Sequence, residues 1–222
     1  MGLCLNIGSG LSGGKNWTNF DCSLTMILVR IPFIGTLLTR HAGFPAWPRG
    51  TRYGNILSQG LVPDNSCDLI FLSHVLEHLT RQCALQAVGN CYRFLKPGGI
   101  FRIIVPDLES ITRNYLRGVD VEDVGASDKY MMDLGMAPPE TATAWKSKIR
   151  CIFGHSQHQW MYDRYSILSL LRERGFSENR IAGFGDWNDE RFSEVEDKGR
   201  HLNAICTESR KPGISGLRKE SS

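Results

Sequence analysis

Three clusters of residues are of types and spacings that could do chemistry. His74, Glu77 and His78 fall together in SHVLEHL. Imidazoles exchange protons near neutral pH. The i, i+4 spacing of His74 and His78 would put both rings on one face of a helix. The glutamate is misplaced for the HExxH zinc pattern, so no metal is expected. A better role puts His74 in a ligand pocket, with Glu77 and His78 orienting the loop or capping the next helix. The second cluster is GHSQHQWMYD, residues 154–163, with His155, His158, Trp160 and Tyr162 just ahead of an apolar helix. It is either an aromatic anchor with Asp163 as the helix N-cap, or the wall of a substrate site. In the second case His155 or His158 would act as general base on a hydroxyl, worth roughly 10²–10⁴-fold, with Asp107 of VPDLE as the rival. The third cluster is the turn Gly8-Ser9-Gly10, followed by Asp21. Glycines at a strand end let a ligand approach the backbone, and an acid closing the next strand can accept hydrogen bonds from both hydroxyls of a ribose.

These residues need a frame, and the hydrophobic pattern supplies one. Short apolar runs predict strands at Leu3 to Ile7, Thr18 to Asp21, Asp68 to Ser73 and Ile100 to Val105, with two more at Arg180 to Phe184 and Leu202 to Thr207. Leu85, Val88, Tyr92 and Leu95 share one helical face in a helix from about Arg81 to Leu95, stopped by Pro97-Gly98-Gly99. A second helix spans Tyr165 to Arg174, with Gly175 as its stop. Between Pro106 and Tyr162 the pattern is less regular. Alternating strands and helices predict an α/β fold with a largely parallel sheet. Ligands then bind beyond the carboxyl ends of the strands, where the glycine turn and Asp21 fall. So few residues lie between Gly10 and Thr18 that no full helix fits there, so either this crossover is a loop or Asp21 is merely a turn residue.

The order of LNIGSG, GGKNWTNFD, SHVLEHL and FLKPGG resembles class I methyltransferases of the type 11 group. It is similar in particular to a short, helix-poor variant found among methyltransferases of cell-surface polysaccharide gene clusters. The resemblance covers most of residues 3–110 and, more loosely, 154–207. It implies a Rossmann-like class I methyltransferase fold, with a mostly parallel seven-stranded sheet and helices on both faces. It also implies S-adenosylmethionine as cofactor. Carried over residue by residue, Gly8, Ser9 and Gly10 would pass under the methionine part and Asp21 would hold the ribose. Asn55 and Ile56 would lie beside adenine, and Ser73 and His74 near the sulfonium. Asn6 and Asn55 stand where many members carry an acid; both keep a hydrogen-bonding side chain and lose its charge. His78, Trp160 and Tyr162 would line the acceptor. The implied function is methyl transfer to a small-molecule or glycan hydroxyl, in polysaccharide biosynthesis. The alternative is a catalytically silent protein that binds S-adenosylmethionine or its product. A nicotinamide-dependent oxidoreductase is disfavoured, because the full GxGxxG is missing and Asp21 comes too soon.

Composition narrows the partners. The 222 residues suit one α/β domain over 1–209, with an insert or lid at 24–50, an acceptor-side insert at 110–160, and a flexible basic tail at 210–222. A net charge of +3 gives no case for nucleic acid. Seven cysteines without a CxxC pair predict free thiols in a reducing compartment. Met1 to Ile7 reads directly as a strand, so no signal peptide is expected, and the localisation expected is cytoplasmic. Leu24, Ile27, Leu28, Ile31, Ile34 and Leu38 fall on helical spacing but are too few to span a bilayer. Residues 24–38 are then an irregular lid packed on the core, or a surface-seeking element peripheral to the inner face of a membrane.

Overall fold

A computed structural model of the chain describes residues 2–41, 44–136 and 157–213. Strands β1 (Leu3–Ile7), β2 (Thr18–Asp21), β3 (Arg52–Tyr53), β4 (Cys67–Ser73), β5 (Leu95–Pro106), β6 (Ser177–Ala182) and β7 (Ala204–Arg210) form one seven-stranded sheet of order β3-β2-β1-β4-β5-β7-β6. All pairings are parallel except those of β7, which runs antiparallel to both β5 and β6. Helices are α1 (Leu24–Arg30), α2 (Ile34–His41), α3 (Arg81–Phe94), α4 (Leu108–Asp120), α5 (Ala126–Asp133) and α6 (Arg164–Glu173).

Alternation along the central strands divides the core. Leu5 and Ile7 of β1 and Ile70 and Leu72 of β4 face α3 and α6, packing on Ala84, Val88, Ile167 and Leu171. On the opposite face Leu69, Phe71 and Ile104 meet Trp17 and Phe192, the latter from a 3-10 turn at Glu190–Glu194. The crossover from β1 to β2 is a loop, as its length required. Trp17 from that loop covers the sheet where a helix would otherwise lie.

Several expected boundaries move. β5 begins at Leu95, so Lys96 to Gly99 belong to the strand and α3 ends at Phe94. The stretch expected to be irregular after Pro106 contains α4 and α5. The last strand reaches Arg210, and Lys211 Nζ donates to the carbonyl of Leu95 at 2.7 Å. The expected tail boundary at 210 therefore falls inside the sheet, because pairing with β5 continues through Ile100–Arg210.

One core feature had no sequence signature. Arg102, in the middle of β5, is fully buried. It donates to Glu196 at 2.8 Å, to Glu208 at 3.0 Å and to the carbonyls of Gly183 and Asp186 at 2.7 and 3.0 Å. A buried charge is tolerable only when paired and fully hydrogen-bonded. This cluster ties the β6–β7 region and the segment around Glu196 to the sheet centre. That anchoring carries the following 3-10 turn, Lys198–His201, to the carboxyl ends of β1 and β4.

Candidate functional site at the carboxyl ends of β1, β2, β4 and β5

The glycine turn is built for close approach. Gly8 and Gly10 have φ of 68° and 54°, a region that favours glycine. A Cβ on Gly8 would stand 2.2 Å from Val75 Cγ2, so the β1 and β4 ends could not meet if Gly8 carried a side chain. The N–H groups of Gly8 and Ser9 donate to the carbonyl of Phe20 at 2.9 and 3.1 Å, locking the turn onto β2. Asn6 is buried and donates to the Ser12 carbonyl and Asn19 Oδ1 at 3.1 and 3.0 Å. It therefore holds the loop together from within.

Asp21 lies at the edge of this turn. Its carboxylate accepts from the Gly10 N–H at 3.0 Å and the Ser23 N–H at 2.8 Å. Each oxygen keeps a lone pair that a vicinal diol could use. Asn55 Oδ1 accepts from the Leu57 N–H at 2.9 Å, forming a turn that delivers Ile56, itself buried, to the same side. The hydroxyls of Ser9 and Ser73 are buried and lack hydrogen-bond partners. Two orphaned hydroxyls at the ends of β1 and β4, beside a glycine turn and a carboxylate, fit a polar adenosyl and amino-acid ligand. Arg200 joins them: its Nη1 donates to the Ser73 carbonyl at 3.4 Å, and its Nη2 lies 3.6 Å from where a Gly10 Cβ would stand. Sequence reasoning missed Arg200, since only the Arg102 cluster and the antiparallel β7 carry it here.

The histidine cluster takes a different form from the one expected. His74 has a left-handed backbone, φ 54°, and precedes a 3-10 turn at Leu76–His78. His74 and His78 thus do not share a helical face, because the helix starts only at Thr80, whose hydroxyl accepts from the Cys83 N–H. The cap role expected of Glu77 or His78 therefore belongs to Thr80. The Glu77 carboxylate turns inward and is fully buried, with no directed hydrogen bond to either oxygen. His74 Nδ1 lies 3.2 Å from it and His78 Nε2 4.0 Å. His74 Nε2 lies 3.0 Å from the Arg200 carbonyl, to which it must donate. Burial opposes charge on His74, but contact with Glu77, the Glu77 charge and that carbonyl together raise its pKa above the usual imidazole value. The Glu77 carboxylate beside Nδ1 and the Arg200 carbonyl at Nε2 thus both favour the protonated ring.

The His-rich segment comes to this cluster. The Gln159 and Trp160 N–H groups donate to the Glu77 carbonyl at 2.7 and 3.2 Å, and Gln159 Nε2 to the His78 carbonyl at 2.9 Å. This strap lays His158 edge-on to His78, with ring centroids 5.1 Å apart. Glu77, His78 and His158 place one ligand-type atom each within 4.8 Å of one another. Gly135, with φ of 68°, makes room: a Cβ there would fall 2.5 Å from His158 Nδ1. That nitrogen is buried and makes no hydrogen bond of good geometry among the described residues, with the Leu134 backbone as its neighbour. Burial lowers the His158 pKa, with His78 and His74 acting in the same direction against Glu77 and a backbone hydrogen bond at Leu134. Tyr162 is buried with an unpartnered hydroxyl, and burial beside Glu77 pushes its pKa up to about 12. Trp160 is partly exposed, with the Arg81 guanidinium 5.8 Å from its ring centre.

Asp107 ends β5 as expected, but its carboxylate caps α4, accepting from the Glu109 N–H at 2.9 Å. Asp163 caps α6 in a reciprocal capping box with Ser166. His155 lies outside the described residues.

The comparisons with known proteins bear on the fold. A methyltransferase-domain family model matches residues 46–103. A probable S-adenosylmethionine-dependent methyltransferase of Mycolicibacterium smegmatis is 41% identical over 56 residues, which span 25% of this chain and 21% of that protein's length. The crystal structure of an S-adenosylmethionine-dependent methyltransferase from Archaeoglobus fulgidus superposes with a TM-score of 0.54 at 14% identity, covering 95% of this chain and 86% of that one. The chain thus has the fold of class I S-adenosylmethionine-dependent methyltransferases, with a methyltransferase-domain segment over residues 46–103, and S-adenosylmethionine is the cofactor these likenesses support.

Proposed function

We propose that the protein transfers a methyl group from S-adenosylmethionine to a hydroxyl of a small molecule or saccharide, with His158 as general base. The observation that carries this is the buried Nδ1 of His158, which has no hydrogen-bond partner of good geometry among the described residues, close to the fully buried Glu77 carboxylate. An imidazole whose pKa lies below its ordinary value is neutral at pH 7 and ready to accept a proton. The bound cofactor supplies an electrophilic methyl group on a sulfonium; the chain aligns, excludes water and manages the proton. Gly8, Ser9 and Gly10 receive the methionyl part, Asp21 the ribose and Ile56 the adenine, and Arg200 pairs with the methionyl carboxylate. His158 would take the proton that the acceptor hydroxyl gives up as its oxygen is methylated. The Glu77 charge then stabilises the imidazolium formed. Tyr162, protonated throughout the neutral range, offers its hydroxyl to the acceptor, and His78 and Trp160 flank it.

A saccharide is the first acceptor to test, a choice that rests only on the resemblance of the sequence motifs to methyltransferases of polysaccharide gene clusters. A saccharide carried on a lipid would place the enzyme at the cytoplasmic face of a membrane, with residues 24–38 as the contacting segment. The test is release of S-adenosylhomocysteine over a panel of sugars, glycolipids and small hydroxyl compounds. The wild-type protein should turn over one of these acceptors, and His158→Ala should lose turnover while binding S-adenosylhomocysteine normally by calorimetry. Normal cofactor binding with no acceptor turned over would favour the silent binding protein. Unchanged turnover in His158→Ala would remove that residue from the mechanism.

A further inference from the structure

We propose that the α1–α2 hairpin is a binding site for anionic phospholipid, with the lipid phosphate in a cleft between the two helices. The inference rests on the membrane reading of residues 24–38 and gives that contact a specific chemistry. Three independent features support it.

The first is exposed apolar surface. Leu24, Ile27, Ile31, Ile34 and Leu37 are between 38% and 60% exposed, and Phe33, at the hairpin tip, is 90% exposed. A contiguous run of this kind on a surface otherwise ordinary in composition marks a contact site. Phe33 also has a left-handed backbone, φ 66°, which is unfavourable for a bulky side chain. Strain spent on holding a phenyl ring out in water points to a role for the ring outside the fold.

The second feature is charge. No Asp or Glu occurs between Asp21 and Asp64, whereas Arg30, Arg40, Arg49 and Arg52 all do. A purely basic, amphipathic surface complements an anionic bilayer.

The third is the cleft itself, about 370 Å³, lined by Arg30, Thr36, Thr39, Arg40 and Trp47 among others. The indole N–H of Trp47 is buried and has no hydrogen-bond partner. Arg30 is fixed in place by donating to the carbonyls of Pro48 and Thr51 at 3.0 and 2.6 Å. The helices meet closely enough to form the cleft because position 35 is glycine: a Cβ there would lie 1.9 Å from the Val29 carbonyl oxygen. Thr39 spends its hydroxyl proton on the Gly35 carbonyl at 2.8 Å, which leaves two guanidinium groups, the indole N–H and the Thr36 hydroxyl, a set that suits a phosphodiester oxyanion. The neighbouring apolar side chains suit the acyl region beneath it.

The experiment is flotation of the full chain with vesicles of phosphatidylcholine alone and of phosphatidylcholine containing phosphatidylglycerol. The protein should float with the anionic vesicles and stay behind with the neutral ones. Phe33→Ser should weaken partitioning by about ten-fold or more, and Arg40→Ala by about five-fold. Arg49→Ala, whose charge lies outside the cleft lining, should cost clearly less than Arg40→Ala. All three positions are on exposed side chains, and unchanged thermal melting checks that the fold persists. Equal flotation with both vesicle types would overturn the anionic site but spare peripheral contact, and no flotation with either would overturn both. Equal losses for Arg49→Ala and Arg40→Ala would overturn the cleft in favour of diffuse attraction. Displacement by inorganic phosphate beyond that by chloride of the same ionic strength would make the cleft a free-anion site and overturn the lipid assignment. None of these outcomes depends on methyl transfer, which the S-adenosylhomocysteine assay reads separately.

Discussion

Replacing Glu77 with glutamine removes one charge from the centre of the histidine cluster and nearly preserves its volume. The carboxylate is fully buried and faces His74, His78 and His158. When His158 takes the acceptor proton it becomes a cation within 4.8 Å of that carboxylate, and at an effective dielectric of about 20 the attraction is about 3.5 kcal/mol. Full loss of that attraction would slow proton transfer by a ceiling of roughly 300-fold. His158 is only half-buried, so solvent screens part of the charge, and the expected loss in turnover is about ten- to a hundred-fold. A second consequence has a sign fixed by the same geometry. Glu77 is the main influence raising the His74 pKa against burial, and it also supports protonation of His158. Glu77→Gln should therefore move both titrations to lower pH in an NMR titration of the imidazole C–H signals, an assay that needs no acceptor. Turnover against pH should keep its shape, with the rise attributed to His158 displaced downward. Thermal melting and S-adenosylhomocysteine affinity separate a folding defect from a chemical one. A turnover loss below about two-fold, together with unmoved His74 and His158 titrations in a folded variant, would refute the electrostatic role given to Glu77.

Other perturbations probe the remaining parts of the site. Arg200→Ala should weaken S-adenosylhomocysteine binding by about ten-fold, as loss of one charge-assisted carboxylate contact would, and equal affinity by calorimetry would remove Arg200 from the cofactor site. Arg102→Ala removes the buried cation shared by Glu196 and Glu208, leaving His201 beside the one and Arg180 beside the other, and should cost about 3 kcal/mol in urea unfolding; a cost under about 1 kcal/mol would show that the cluster does not anchor the β6–β7 region. Dialysis against a chelator should leave turnover unchanged, because the proton-transfer scheme needs no cation. Loss of activity restored by zinc or manganese would instead make Glu77, His78 and His158 ligands.

Much of the sheet was legible because its signals are local. Apolar strands ending in glycine, serine or aspartate, and a helix with a clean stop, need no knowledge of distant contacts. Glycines 8 and 10 and Asp21 were readable for the same reason: strand ends at the ligand edge of a parallel sheet impose residue types that a single segment displays. The two-residue β3 escaped notice, since its pairing with β2 is tertiary and Arg52 and Tyr53 have no alternation to detect. The α4 helix was legible but overlooked: Leu108, Ile111, Tyr115, Leu116 and Val119 fall on helical spacing behind the Asp107 cap; the shorter α5 has no comparable apolar period.

The site residues followed the same division. Asn6, placed at the cofactor by family likeness, spends its amide on Ser12 and Asn19, so the loss of an acid there is compensated inside the loop. Glu77 changed role for a geometric reason: His74 takes a left-handed backbone, the helix starts late, and the carboxylate swings into the interior that a regular helix would have turned it away from. Arg200 could not have been found by motif, because its position depends on a buried arginine in β5 and an antiparallel last strand. This is why the two halves of the site differ in how they can be argued. The proposed cofactor half sits on strand ends, where a single segment displays the residue types from which it was inferred. The acceptor half is assembled from a strap, a 3-10 turn and a glycine at position 135, elements brought together only by the fold. Its proposed chemistry follows from the polar atoms that assembly leaves buried without a hydrogen-bond partner among the described residues, His158 Nδ1 and the Tyr162 hydroxyl, beside the Glu77 carboxylate that His74 faces. An apolar protein interior does not keep an imidazole nitrogen and a phenol unsatisfied at no cost. The most economical account of that cost is an acceptor hydroxyl that donates to His158 and accepts from Tyr162, with the Glu77 charge behind them.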